Sequence, residues 1–182
     1  MKKDSFAIPL DVRSFAQAAA TRTEQDTLQR YERLMEETQG QGGDSVVNWS
    51  AQGEMRRAPG EEPEVWLHLQ ADAIVPVTCQ RCLQPVEVPL VVDRSFRFVA
   101  DEATAALLDE EAEEEVLAID PQFDLAALIE DELLMEMPLV PRHDVCPTEV
   151  KLEAVDDDFD AALADKPKPF AALAKLKGGK PH

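Results

Sequence analysis

All three cysteines of this chain fall into two short spacings, Cys79-Gln80-Arg81-Cys82 and, well downstream, His143-Asp144-Val145-Cys146. Three thiols and one imidazole in two pairs match the ligand number and softness of a tetrahedral zinc site. The tight turn of a CxxC aims both sulfurs inward and frees backbone N–H groups to support the thiolates, so one knuckle supplies two ligands and needs a second pair to close the site. His143 and Cys146 follow Pro141 in a stretch that proline keeps out of a helix, where two side chains can converge. The pattern therefore points to one structural zinc ion held by Cys79, Cys82, His143 and Cys146. Two other readings stay open. The four residues can be the unliganded remnant of a metal site, or Cys79 and Cys82 can be a redox pair. A redox CxxC usually opens a helix, whose N-terminus lowers the pKa of the nucleophile. Here Leu83-Gln84-Pro85 leads into a strand.

Other reactive constellations are thin. The remaining histidines are His68, set among alternating apolar residues, and the terminal His182. The seven glycines include no GxGxxG and no GxxxxGK[ST], and no GxSxG elbow occurs. Acid pairs such as Glu130 and Asp131 are abundant, but nothing in their spacing separates a buried general acid from a solvated face. The motifs favour a metal-pinned binding protein over an enzyme.

The elements that must position the four ligands read as follows. Ile8-Pro9-Leu10 forbids a helix, so residues 5–13 are extended. Ser14 caps a short helix through Ala20, and Thr23, with Glu24 and Asp26 behind it, starts a second helix to about Glu37. Gly40-Gln41-Gly42-Gly43-Asp44 is a break, after which the period becomes two. Val47, Trp49, Ala51, Gly53 and Met55 form one alternating run. Ala58-Pro59-Gly60-Glu61-Glu62-Pro63 is a hairpin loop. Val65, Leu67, Leu69 and Ala71 form a second run. Val86, Val88, Leu90, Val92, Phe96 and Phe98 form a third, with only Arg94 breaking its face. Three such runs joined by turns predict an antiparallel meander with one buried face, the CxxC lying between the second and third. Residues 101–115 hold eight acids and no base, the signature of a solvated or mobile loop. Glu115 to Asp120 suits a short strand. Asp124 caps a helix that stops at Pro138 and carries the stripe Leu125, Leu128, Ile129, Leu133 and Met137, which covers the sheet. The expected fold is thus α+β: a β-meander packed by helices, with N-terminal helices, an acidic loop and a flexible C-terminal tail. Residues 1–150 make a single domain and residues 151–182 the tail.

The chain has 182 residues, 45% of them apolar and only 5% aromatic, which allows one aliphatic core. No apolar run reaches the length of a bilayer, and Lys2-Lys3 is followed by no apolar segment of a signal peptide. An odd number of cysteines in close motifs fits reduced thiols. These features place the protein in the cytoplasm, with no membrane contact. The formal net charge is −19, unevenly spread. Residues 166–182 carry five lysines and no acid, so the first 165 residues hold 37 acids against 13 bases, a charge of −24. Such a body repels phosphate and suits a basic partner. In the tail, Phe170, Leu173 and Leu176 fall at helical spacing among Lys166, Lys168 and Lys177. These six residues are the candidate partner-binding set, as an amphipathic motif too short to fold alone; docking back on the domain and disorder are the other readings of this segment.

Several stretches resemble one family. Cys79-Gln80-Arg81-Cys82-Leu83-Gln84-Pro85-Val86 resembles the CxRC hairpin of the YceD family, the large ribosomal RNA subunit accumulation proteins. So do Phe123-Asp124-Leu125-Ala126-Ala127-Leu128-Ile129-Glu130-Asp131-Glu132-Leu133-Leu134 and Pro138-Leu139-Val140-Pro141-Arg142-His143. Lys166-Pro167-Lys168-Pro169-Phe170-Ala171-Ala172-Leu173-Ala174-Lys175-Leu176-Lys177 is similar to its terminal Lys-Pro-x-Pro-Phe-x-x-Leu-x-x-Leu-Lys, and Ile8-Pro9-Leu10-Asp11 fits its entry. The resemblance implies a bacterial cytoplasmic protein needed for accumulation of 23S ribosomal RNA and large-subunit assembly, with no catalytic activity attached. Taken with the charge, it leads us to expect that the body binds a basic ribosomal protein or an rRNA-processing factor, and that the lysine-rich tail touches ribosomal RNA. The rival readings are a direct ribosomal-RNA-binding factor and a CxxC thiol redox protein.

Overall fold

The computed structural model describes residues 6–57, 62–109 and 112–149. They form an α+β fold around one five-stranded sheet whose strands lie in chain order. Strand β1 (Thr21–Thr27) pairs antiparallel with β2 (Val46–Arg56), β2 with β3 (Glu64–Thr78), and β3 with β4 (Pro85–Val99). The last strand, β5 (Glu115–Ala118), lies parallel to β4. Helices α1 (Val12–Gln17), α2 (Glu32–Glu37), α3 (Glu102–Asp109) and α4 (Leu125–Met135) complete the described elements.

The period-two runs do what their spacing demands. Odd positions of β2 and β3 and even positions of β4 share one face, so Trp49, Leu67, Leu69, Val75, Leu90 and Phe96 are buried together. Helix α4 lays Leu125, Leu128, Ile129 and Leu133 on that face, with Met137 packed at its edge. Arg94, the break in the apolar run, meets Glu132 of α4, with Nε 3.3 Å from Oε2. Asp124 is the predicted N-cap: its Oδ1 accepts from Ala126 N at 2.9 Å, and also from Ile8 N at 2.7 Å, which pins the entry segment to α4. Gly53 is where α1 touches the sheet. A Cβ there would stand 2.8 Å from Ala16 Cα and 2.7 Å from Phe15 Cδ1.

Three expectations are corrected. Residues 21–27 are not the start of a helix. The β-branched Thr21, Thr23 and Thr27 join β2 through side-chain ladders, Thr23 Oγ1 to Ser50 Oγ at 3.0 Å and Gln25 Nε2 donating to Asn48 Oδ1 at 2.8 Å. A 3-10 turn follows at Leu28–Arg30, and α-helix is left only at Glu32–Glu37, where Glu130 of α4 accepts from Arg33 N (2.7 Å) and Leu34 N (3.2 Å), a cap supplied from another element. Ser14 is not the cap of α1. Asp11 is, accepting from Ser14 N at 3.0 Å, and the helix ends at Gln17. The acidic stretch is not all loop, since Asp101 accepts from Thr104 N at 2.9 Å and starts α3. The three alternating runs form the expected antiparallel meander, and α3 carries the chain back to lay β5 parallel to β4.

Asp26, read from sequence as a helix-start acid, is instead a buried hub. Its Oδ2 accepts from Trp49 Nε1 at 2.8 Å and from Tyr31 OH at 3.3 Å, and its Oδ1 is paired with Arg30. Burial, and then the Asp26 carboxylate, push the Tyr31 phenol well above its ordinary value. The hairpin loop expected around Ala58 to Glu61 lies outside the described residues, as does the tail with Lys166, Lys168, Phe170, Leu173, Leu176 and Lys177.

Candidate metal centre

The CxxC occupies the turn between β3 and β4, where Thr78 still faces Pro85 across the ladder. Two backbone bonds shape the turn: Cys79 N donates to Gln84 O and Leu83 N to Cys79 O, both at 2.9 Å. Leu83 takes a left-handed φ of 58°, a conformation that sharpens the turn and is unusual for a branched side chain. The segment after α4 is delivered to this knuckle by further bonds. Gln80 N donates to Pro141 O at 2.8 Å. Arg81 Nη2 donates to His143 O at 2.7 Å and to Asp144 O at 3.2 Å.

The result brings together all four residues singled out by spacing. One donor atom from each of Cys79, Cys82, His143 and Cys146 lies within 4.8 Å of all the others. Cys82 Sγ and His143 Nδ1 are 3.4 Å apart. Zn–S bonds of about 2.3 Å and Zn–N bonds of about 2.0 Å place ligand atoms of a tetrahedral site roughly 3.5–3.8 Å apart, so the cluster needs only slight contraction to close on an ion. Three soft thiolates and one imidazole form a zinc donor set. Cys79 is buried and the other three are partly covered.

The electrostatics point the same way. Burial works to raise the Cys79 thiol, but backbone N–H groups of Cys82, His143 and Arg81 donate to it and bring it down to about 5. Cys82 goes up, through burial and then the neighbouring Cys146 and Cys79 sulfurs. Three thiolates in so small a volume repel one another unless a cation lies between them. Arg81 is the positive group the protein itself supplies, with Nε donating to Cys146 Sγ at 3.0 Å. The Cys146 contact, first, raises the Arg81 guanidinium further. The sequence reading passed over Arg81. The signal was a cation inside a CxxC, among thiols that ionise. No helix begins at this CxxC, so the cysteines lack the helix N-terminus that thiol oxidoreductases use. His68 lies on the open face of the sheet, with Nδ1 3.1 Å from Ser95 Oγ and Nε2 3.3 Å from Asp93 Oδ1. Among the described residues, no helix is long and apolar enough to cross a membrane.

A family model described as large ribosomal RNA subunit accumulation protein YceD matches residues 67–177, a stretch that runs from β3 through all four donors. The chain belongs to the YceD family. A relative from Haemophilus influenzae, named large ribosomal RNA subunit accumulation protein YceD, is 32% identical over 137 residues, or 74% of this chain and 79% of the relative. No solved structure matches the chain. The YceD match leaves out α1, β1, α2 and β2, so the centre and α4 lie in the shared part while the first two strands of the sheet lie before it.

Proposed function

We propose that this chain is a non-catalytic ribosome-biogenesis factor that supports accumulation of large-subunit ribosomal RNA, and that it acts by binding a basic ribosomal protein or rRNA-processing factor. Family membership carries this reading, since the match spans the greater part of the chain and the family's name states the role in ribosomal RNA accumulation. The charge supports the choice of a protein partner: a body with 37 acids against 13 bases attracts cations and repels phosphate. The Cys79, Cys82, His143 and Cys146 cluster would hold one structural zinc ion. A bound zinc ion ties the β3–β4 turn to the exit of α4 and supplies no open position for a substrate. Loss of the gene should lower mature 23S ribosomal RNA. A pull-down at moderate salt should recover ribosomal proteins even after nuclease treatment. Recovery that vanishes with the RNA would shift the reading to a direct ribosomal-RNA-binding factor, for which the five lysines of residues 166–182 are the supporting observation.

A further inference from the structure

A cavity lies away from the cysteines, in the groove between β5, the loop that follows it, and α4. It has a volume of about 630 Å³. Its walls combine two properties that rarely share a surface. One is apolar: Leu117 from β5, Phe123 from the loop, and Leu128, Leu134 and Met135 from α4. Met135 stands 63% exposed at the rim, and Phe123 is braced edge-on against Phe98 at 5.3 Å, so the floor is preformed. The other is charge. The same wall carries Glu115, Asp120, Asp124, Asp131 and Glu132, and among the described residues no Lys, Arg or His lines it. Asp124 is spent on the cap of α4, Asp120 accepts from Gln122 N at 2.8 Å and Asp131 faces Arg33, which leaves Glu115 and Glu132 as the groove's own acids.

Glu132 sets this groove apart from a solvated acidic patch. It is 2% exposed, yet its Oε2 accepts no hydrogen bond among the described residues. Arg94 Nε stands 3.3 Å away but is not aimed to donate. A buried carboxylate oxygen without a donor is costly, and an incoming N–H offsets that cost. The chain thus holds an apolar groove with an unmet acceptor in its wall and an acidic rim.

We infer that this groove is the docking site for a basic amphipathic segment of a partner protein, which lays apolar side chains against Leu117, Phe123 and Leu128 and brings an arginine or lysine to Glu132. This rests on the proposed function and names the place and chemistry of the contact. A peptide that enters a groove as one face of a helix anchors through apolar side chains at helical spacing, and charge decides which peptides enter. The occupant is therefore a segment with leucine-like anchors and flanking cations.

The test uses the full-length protein and a fluorescein-labelled synthetic peptide built only of leucine and arginine, with the leucines at helical spacing. A glutamate-for-arginine peptide is the control. Anisotropy should show saturable binding of the arginine peptide, weakened by salt, and none of the control. Met135→Lys puts a cation at the exposed rim and Glu132→Gln removes the buried charge. Each should weaken binding about tenfold or more while the protein stays folded. Glu132→Gln should do so without losing stability, a split that a purely structural Glu132 would not give. Equal binding by wild type and both variants overturns the inference, as does failure of the full chain to bind the peptide. Binding that appears only after residues 150–182 are deleted gives the groove to the chain's own lysine-rich segment. A dimer that Met135→Lys dissolves gives it to a second copy. Either result overturns a partner protein as occupant. If nuclease-treated pull-downs recover the same ribosomal proteins with wild type and Met135→Lys, the proposed function stands and the groove falls. If they recover none while the peptide still binds at the groove, the reverse holds.

Discussion

Asp26→Ala tests whether the hub under β1 organises this end of the sheet. The carboxylate side chain is 1% exposed and accepts from Trp49 Nε1 at 2.8 Å, from Tyr31 OH at 3.3 Å and from Arg30. Truncation leaves the indole N–H buried without a partner, which costs about 1–3 kcal/mol. The Tyr31 bond is long, and its loss adds roughly 0.5–1 kcal/mol. Arg30 is half exposed, so solvent holds its share to about 1 kcal/mol or less. The expected destabilisation is therefore about 2–4 kcal/mol, reaching below the roughly 3–5 kcal/mol of a fully buried pair because Arg30 is half exposed. Asp26→Asn keeps one oxygen for the indole and should lose only about half as much. Urea unfolding followed by tryptophan fluorescence measures both, with an unchanged m-value required for the comparison. A second readout follows from Tyr31: burial and then Asp26 raise its phenol, so spectrophotometric titration should show that pKa falling in Asp26→Ala. An alanine variant within about 0.5 kcal/mol of wild type, or an unmoved Tyr31 titration, would refute the hub.

The remaining predictions concern the clamp, the contact of α1 with the sheet, and Glu132. Protein purified without chelators should contain zinc near one per chain by elemental analysis, and both the zinc and part of the thermal stability should disappear in Cys79→Ser and Cys146→Ser; metal-free protein with wild-type melting would remove the clamp. Gly53→Ala places a Cβ against the backbone of Ala16, and should cost about 1–3 kcal/mol in denaturant unfolding. Glu132 is raised by burial, pulled back by Arg94, and raised again by Glu115, Asp131 and Glu136. A carboxyl whose folded pKa is raised stabilises the fold fully below the unfolded pKa, near 4.5, and loses that contribution as pH rises through the folded value. Glu132→Gln should therefore gain stability relative to wild type at neutral pH, and the gain should shrink at about pH 4; a gain that does not depend on pH would show the burial argument to be wrong.

What could be read from the chain, and what could not, divides along a physical line. Where one face is buried over a long run, as at Val47 to Met55 or Leu125 to Leu133, periodicity alone placed the element and its inward face. The meeting of Cys79, Cys82, His143 and Cys146 was legible because cysteine and histidine chemistry is sparse and local. Residues 21–27 were not, because threonine and acids describe a helix start as well as an edge strand, and only the ladder to Ser50 and Asn48 decides between them. Glu132 and Asp26 look like any other acids in a chain with 37 of them. Burial is a property of what packs over them, and the packing partners, Arg94 and Trp49, lie far away in sequence. Arg81 was hidden differently, as the variable position of a motif read for its cysteines.

The order of the sheet has a consequence for how this protein is made. Strands β1 to β4 are synthesised one after another and pair with their immediate neighbours, so the meander can assemble as it leaves the ribosome. Its apolar face, with Leu67, Leu69, Leu90 and Phe96, has no lid until residues 125–137 have followed, and the cysteine turn has no second pair until residue 146. For that interval the nascent chain presents a sticky, unpaired knuckle and an open greasy sheet. The more slowly residues 100–146 are synthesised, the longer that face stays uncovered and open to wrong contacts.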